Sequence, residues 1–157
     1  MELWDAYDKN FNIINGISLV RGEVIPEGMY HLVCDVYVRH TDGDILLMQR
    51  DFNKTHGGCW EATAGGSALK GENPLECAIR ELYEETGIEE YEIIELGKVV
   101  CEKHKSIYVE FLVVTNCDKS NIRLQEGETI DFKWIKESKL NHFEGTLITD
   151  RILKFLK

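Results

Sequence analysis

The 157-residue chain is short of proline, of basic residues and of long apolar runs, and each shortage excludes something. Only two prolines occur, Pro26 and Pro74, and no low-complexity stretch appears, so nothing marks a linker between two folding units. Lys and Arg number 18 against 28 Asp and Glu, a net charge of −10. Contacts to a nucleic-acid backbone each need a cation, so no nucleic-acid polymer is expected as a partner. No stretch reaches the ~18–20 apolar residues that span a bilayer, and no membrane partner is expected. The N-terminal MELWDAYDKN is charged and lacks the apolar run of a signal peptide. The five cysteines (Cys34, Cys59, Cys77, Cys101, Cys117) are odd in number and scattered without a C-x-x-C pair. That excludes a zinc ribbon or a thioredoxin-like dithiol, suits small buried hydrophobes, and predicts a reduced, cytoplasmic setting.

What is present is a core. Hydrophobic residues make up 43% and aromatics 10%, enough for one domain over residues 1–157 that buries roughly 70% of its unfolded surface. Residues 2–25 alternate short apolar and polar groups around Asp8-Lys9-Asn10 and Asn15-Gly16, the pattern of an edge hairpin. Tyr30–Val38 is β-branched and aromatic, a buried strand. The turn Asp42-Gly43-Asp44 should return the chain into a second strand at Ile45–Met48. Residues 51–66 hold five glycine or histidine positions and no period, and read as a loop ending in Ala64-Gly65-Gly66. Strands are expected near Tyr91–Val100, Ile107–Thr115 and Ile130–Ile135. Glu144–Leu156, with Leu147, Ile148, Ile152, Phe155 and Leu156, should form a terminal amphipathic helix. Hairpins mixed with two helices imply an α/β or α+β layered fold.

The best-defined element lies between. Asn73 suits an N-cap, Pro74 the first helical position, and Glu76 completes a capping box. Leu75, Ala78, Ile79, Leu82 and Thr86 recur at helical spacing, and Gly87 closes the helix. Glu81 and Glu85 sit one turn apart beside that apolar stripe, with Glu84 roughly 60–100° further round. Three carboxylates facing one region repel unless a cation lies between them, and hard oxygen donors suit Mg²⁺ or Mn²⁺. Arg80 can orient a neighbouring carboxylate or pair with Glu84. A solvated acidic helix face would explain any one of these glutamates alone. The Gly65-Gly66 backbone and Glu72 just ahead of the helix favour a metal site, since a glycine carbonyl and the carboxylates can close on one ion.

Gly66, Glu72 and Arg80-Glu81-Leu82-Tyr83-Glu84-Glu85-Thr86-Gly87-Ile88 match G-x5-E-x7-R-E-U-x-E-E-x-G-U, where U is aliphatic, at every position. In this the chain resembles the Nudix hydrolase family, and residues 66–88 would be its box. The resemblance implies a mixed β-sheet sandwiched between helices. It also implies Mg²⁺-dependent cleavage of a small-molecule nucleoside diphosphate derivative. Glu81 and Glu85 would be the principal metal ligands and Glu84 a further one. The Gly66 carbonyl would complete the set, Arg80 would orient Glu81, and Glu72 would support the loop. The family's general base varies; Glu81 is one candidate and Glu128, preferred over Glu126, is another that would also reach the metal. A homodimer is compatible with the resemblance but not dictated by it.

The opening, with residues 1–28 as an N-terminal extension, and the stretch Lys54-Thr55-His56-Gly57-Gly58-Cys59-Trp60 look like the branch related to isopentenyl diphosphate isomerase. That isomerase needs a cysteine a few residues after the tryptophan, a place filled here by Ala64, and relaxes the box that is intact here. Hydrolysis is therefore the expectation, with the isomerase and a non-cleaving nucleotide-binding module as alternatives. The spacing Gly66–Gly71 suggests a P-loop, but Glu72-Asn73 stand where Lys-Ser/Thr is required. Tyr30, Phe52 and Trp60 could stack a base, with core packing or loop anchoring the commoner role. His31 reads as structural, His56 and His104 as surface positions, and Glu89-Glu90 as a solvated turn.

Overall fold

The computed structural model describes residues 1–143, 145 and 150–156. In chain order the elements are β1 (Leu3–Tyr7), β2 (Ile13–Val20), β3 (His31–His40), β4 (Asp44–Arg50), β5 (Trp60–Glu61), β6 (Thr63–Ser67), α1 (Pro74–Thr86), β7 (Glu92–Cys101), β8 (Ser106–Thr115), β9 (Thr129–Lys136) and α2 (Asp150–Leu153). A 3₁₀ segment, Glu137–His142, follows β9.

Strands β3 and β8 run parallel through the centre of a seven-stranded mixed sheet, paired in register from His31↔Ser106 to His40↔Thr115. Both are apolar on both faces because both faces are covered. One face (Leu32, Cys34, Val36, Val38; Ile107, Val109, Phe111, Val113) packs with Cys77, Ala78 and Leu82 of α1. The other (Tyr37, Leu112) meets Leu140 and Ile152 from the 3₁₀ segment and α2. The expected layered fold is therefore present. The hairpin at Asp42-Gly43-Asp44 also forms, but β3 and β4 diverge at once and register only at Arg39↔Ile45. Strand β4 goes on to pair with β9 and β5, while β3 takes β6.

Three expectations change. Gly65 and Gly66 are not loop: residues 63–67 form β6, registered Asp35↔Gly65 and Cys34↔Gly66, so the 66–88 motif starts in a strand. The backbone needs glycine there, since Gly65 has φ +152° and a Cβ would lie 2.0 Å from the Cys34 carbonyl oxygen. Asn15-Gly16 lies within β2, opposite the register slip between Asp5 and Tyr7, while the chain reverses at Asp8–Asn12. The buried stripe of α1 is Cys77, Ala78, Leu82, Glu85 and Thr86, whereas Leu75 and Ile79 are exposed. The helix is rotated so that Glu85, not Ile79, faces the sheet. Its ends are as expected: Asn73 and Glu76 form the capping box and Gly87 adopts φ 78°.

Strands β1 and β2 form a separate two-stranded sheet with its own small core of Trp4, Ala6 and Leu19. Trp4 stacks on His31 at 4.1 Å, and Gly71 N–H donates to Asp5 at 2.8 Å, which ties the hairpin to the approach to α1. Of the expected terminal helix, Asp150–Leu153 is helical with Ile152 buried; Glu144, Leu147 and Ile148 lie outside the described residues. Cys34 and Cys77 are buried, but Cys59, Cys101 and Cys117 are only half-buried, because they lie near strand or loop ends. All five are free thiols.

Candidate active site

The side chains of α1 and the strand β6 in front of it meet around one arginine. All five N–H groups of Arg80 are engaged. Nε and Nη2 donate to Glu72 at 2.6 and 2.9 Å, and Nη1 to Glu81 at 2.8 Å and Glu84 at 3.1 Å. Nη2 also reaches the Ser67 carbonyl at 3.1 Å. Arg80 thus contacts both carboxylates that the sequence offered it, Glu81 and Glu84. Glu72 in turn accepts the Leu69 N–H at 2.7 Å, so it braces the segment between β6 and α1. These acids hold Arg80 still more firmly protonated than usual, and the Arg80 guanidinium holds Glu72 below the ordinary carboxylate range against the opposing effect of burial.

Glu85 faces inward, where it accepts the Gly65 N–H at 3.1 Å. Burial, then the charges of Glu81 and Glu61, push its carboxyl well above the usual range. Burial also raises Glu81, opposed by Arg80, and Glu61, opposed by Arg50 at 3.0 Å. The Glu81 carboxylate lies directly over the Gly66 α-carbon, where a Cβ would stand 2.8–2.9 Å from its atoms. Only glycine lets the carboxylate and this backbone approach so closely.

All of these groups but Glu72 line one pocket of about 500 Å³, within the range of small-molecule sites. Glu81, Glu84, Glu85 and Gly66 all face it, and so does Glu128, whose carboxylate is bonded to the Lys54 ammonium; Glu126 is not among the lining residues. The sequence reading missed other members. Glu61, Arg50, Asp35, Tyr108 and Arg151 line the same pocket. An Asp inside an apolar strand was the one available signal, at Asp35. Of the aromatic candidates none lines it: Tyr30 is buried on Glu102, Trp60 packs edge-on to Phe143, and Phe52 is 73% exposed. His31, stacked on Trp4, is structural, and its pKa is lowered to about 4, chiefly by burial. Glu89 and Glu90 are exposed.

The donor set suits a hard divalent cation. Glu81, Glu85 and Glu61 are crowded at low exposure, each raised by burial, with Arg80, Arg50, Lys54 and the Gly65 N–H in opposition. A bound Mg²⁺ or Mn²⁺ would favour their ionised forms. Among the described residues no three Asp, Glu, His or Cys side chains already form a cage. Mg²⁺ does not require one, since it keeps waters and shares substrate phosphates.

A NUDIX domain model matches residues 29–156. The chain is 30% identical over 145 residues to an uncharacterized Nudix hydrolase of Listeria monocytogenes, covering 89% of this chain and 83% of that one. It is 29% identical over 122 residues to an isopentenyl-diphosphate Delta-isomerase of Corynebacterium diphtheriae, covering 71% and 67%. Among solved structures, DR0079 of Deinococcus radiodurans superposes with a TM-score of 0.72 over 92% of each chain at 15% identity, a likeness of fold.

Proposed function

The chain belongs to the NUDIX family, and from that footing we propose that it is a pyrophosphohydrolase that cleaves a nucleoside diphosphate linked to a second group, with Mg²⁺ or Mn²⁺ as cofactor. The observation that carries this reading is the convergence of Glu81, Glu84 and Glu85 with the Gly65-Gly66 strand in one pocket, with Arg80 holding two of the three carboxylates.

A bound divalent ion would neutralise charge on the diphosphate and make a nearby water more acidic. The chain's own groups do the rest. Arg80 spends all its donors on Glu72, Glu81, Glu84 and Ser67, so it fixes carboxylates and leaves substrate to others. The Gly65 N–H orients Glu85. The Glu81 carboxylate sits over the Gly66 α-carbon, and the Cys77 thiol donates to the Gly66 carbonyl at 3.5 Å. Glu81, Glu84, Glu85, Glu128 and the Gly66 carbonyl are the ligands this reading assigns. The base that takes the water's proton is Glu81 or Glu128; Glu128 can exchange its Lys54 partner for that proton.

The isomerase-named relatives favour a second reading, carbon-centred proton transfer on an allylic diphosphate. The intact box and Ala64 weigh against it. A cytoplasmic setting belongs to the same proposal; among the described residues no helix is long and apolar enough to cross a membrane. A panel of nucleoside diphosphate derivatives, with isopentenyl diphosphate included, tests the reading in Mg²⁺, in Mn²⁺ and in excess EDTA. Metal-dependent release of a phosphate product, abolished by EDTA, is the expected result. Double-bond migration without hydrolysis, or nucleotide binding without turnover, would overturn it.

A further inference from the structure

At the end of the pocket away from α1, a second set of groups is built on the opposite face of the sheet. Asp35 of β3 and Glu110 of β8 are register partners, so their side chains lie side by side. Arg151 from α2 donates Nε and Nη2 to Asp35 Oδ2 at 3.2 and 3.0 Å. Its guanidinium lies 3.7 Å above the Tyr108 ring centroid. Beneath them Glu110 is fully buried, and neither of its oxygens accepts a hydrogen bond among the described residues; Arg151 Nε stands 3.7 Å away. A polar core group in this position is costly unless something holds it there for a reason.

We propose that Asp35 and Arg151, seated on Tyr108 and Glu110, form the subsite that selects the organic end of the substrate, and that the group it takes is a nucleobase. The proposal rests on the hydrolase reading for the diphosphate's place near α1. Three observations fix the ligand class. The guanidinium stacked on Tyr108 offers its other face as a flat platform, a surface that holds planar heterocycles. Arg151 grips Asp35 through Nε and Nη2, and among the described residues its Nη1 makes no hydrogen bond, so a donor remains for a ligand at a site that also holds the Asp35 acceptor. A donor and an acceptor in one site suit the mixed edge of a base. The charge balance argues against a second phosphate. Asp35 and Arg151 neutralise each other, and burial together with Asp35 keeps Glu110 protonated. An anion that drew Arg151 away would strand a buried aspartate. Glu110 is a positioning residue: it holds Asp35 from below and touches no ligand.

The test compares adenosine, cytidine, guanosine and uridine 5′-monophosphates with ribose 5-phosphate, which lacks the base. Binding to the full chain in Mg²⁺ is read by calorimetry, alongside cleavage of the corresponding diphosphate-linked compounds. In the wild type at least one nucleotide binds tenfold or more tighter than ribose 5-phosphate. In Asp35→Asn and Arg151→Met that ratio falls toward one, and Arg151→Lys, which keeps the charge and loses the plane, falls with them. Melting curves confirm that each variant is folded. Equal binding of nucleotides and ribose 5-phosphate by the wild type overturns the subsite, as does a ratio unchanged in all folded variants. If cleavage continues in either case, the hydrolase reading still stands. Selective binding with no cleavage of any compound leaves the subsite standing and overturns the hydrolase.

Discussion

Two groups of carboxylates, each with members that line one pocket, live under different conditions. Those of α1 are served by cations and backbone donors: Arg80 grips Glu72, Glu81 and Glu84, and Gly65 donates to Glu85. Those of the central sheet have one arginine between them, and Glu110 accepts no hydrogen bond among the described residues. The first group is held in a fixed array by those donors, and although burial raises Glu81 and Glu85, a divalent ion bound there would favour their ionised forms. The second is held partly neutral, the state that reads hydrogen bonds. Acidic residues in equal company can thus be prepared for a metal or for an uncharged group, according to what surrounds them.

The largest expected effect is at Glu85. Glu85→Gln keeps the shape and the Gly65 contact but removes the charge, and should lower kcat/KM by about 10² or more, roughly 2.7 kcal/mol of transition-state stabilisation. Steady-state kinetics in Mg²⁺ checks this, with circular dichroism to confirm the fold. Arg80→Lys comes next. A lysine has three donors on one atom and cannot span acceptors that occupy five N–H groups. The metal concentration for half-maximal activity should rise and kcat fall by about tenfold, as Glu81 and Glu84 lose their alignment.

A pair of neighbouring glycines separates fold from chemistry. Gly65→Ala puts a methyl 2.0 Å from a backbone oxygen at φ +152°, and should destabilise the chain by about 3 kcal/mol. That is a drop in Tm of roughly 6–12 °C by thermal melting. Gly66→Ala meets only the movable end of Glu81, so its melting temperature should stay near that of the wild type while activity falls. A reversal of these two outcomes would break the placement of the carboxylates over β6.

The last effect belongs to the sheet pair and is a dependence on pH. Burial, with Asp35 beside it, raises the Glu110 carboxyl to about 9. Between the ordinary carboxylate range and that value the folded chain keeps a proton that the unfolded chain releases, so stability falls as pH rises across the interval. Glu110→Gln cannot lose a proton. Its stability relative to the wild type should therefore grow from pH 5 toward about 9 and level off above, as read from denaturant midpoints at a series of pH values. A difference that does not change with pH would show that Glu110 is ionised throughout.

How much of this was legible in the sequence follows from the range of each interaction. The helix α1 and the acids on it are set by neighbours in the chain, from the Asn73 cap to the αL Gly87, and these were readable. The rotation of that helix was not, because its apolar residues do not all seek the core: Leu75 and Ile79 stay exposed while Glu85 turns inward to Gly65. Gly65 and Gly66 read as loop because glycine disfavours strands; their pairing with Cys34 and Asp35, set by close backbone approach, overrides that preference. The second acid cluster draws residues 35, 108, 110 and 151 from three separated elements. No spacing along the chain announces such a contact.

Direct measurement of divalent-cation binding tests the central claim that the two clusters differ in kind. Mn²⁺ binding to the wild type, Glu85→Gln and Asp35→Asn is followed by electron paramagnetic resonance in the absence of substrate. Binding in the wild type, severe weakening in Glu85→Gln and near-wild-type affinity in Asp35→Asn are expected. Equal affinity in all three, or weakening confined to Asp35→Asn, would contradict that claim.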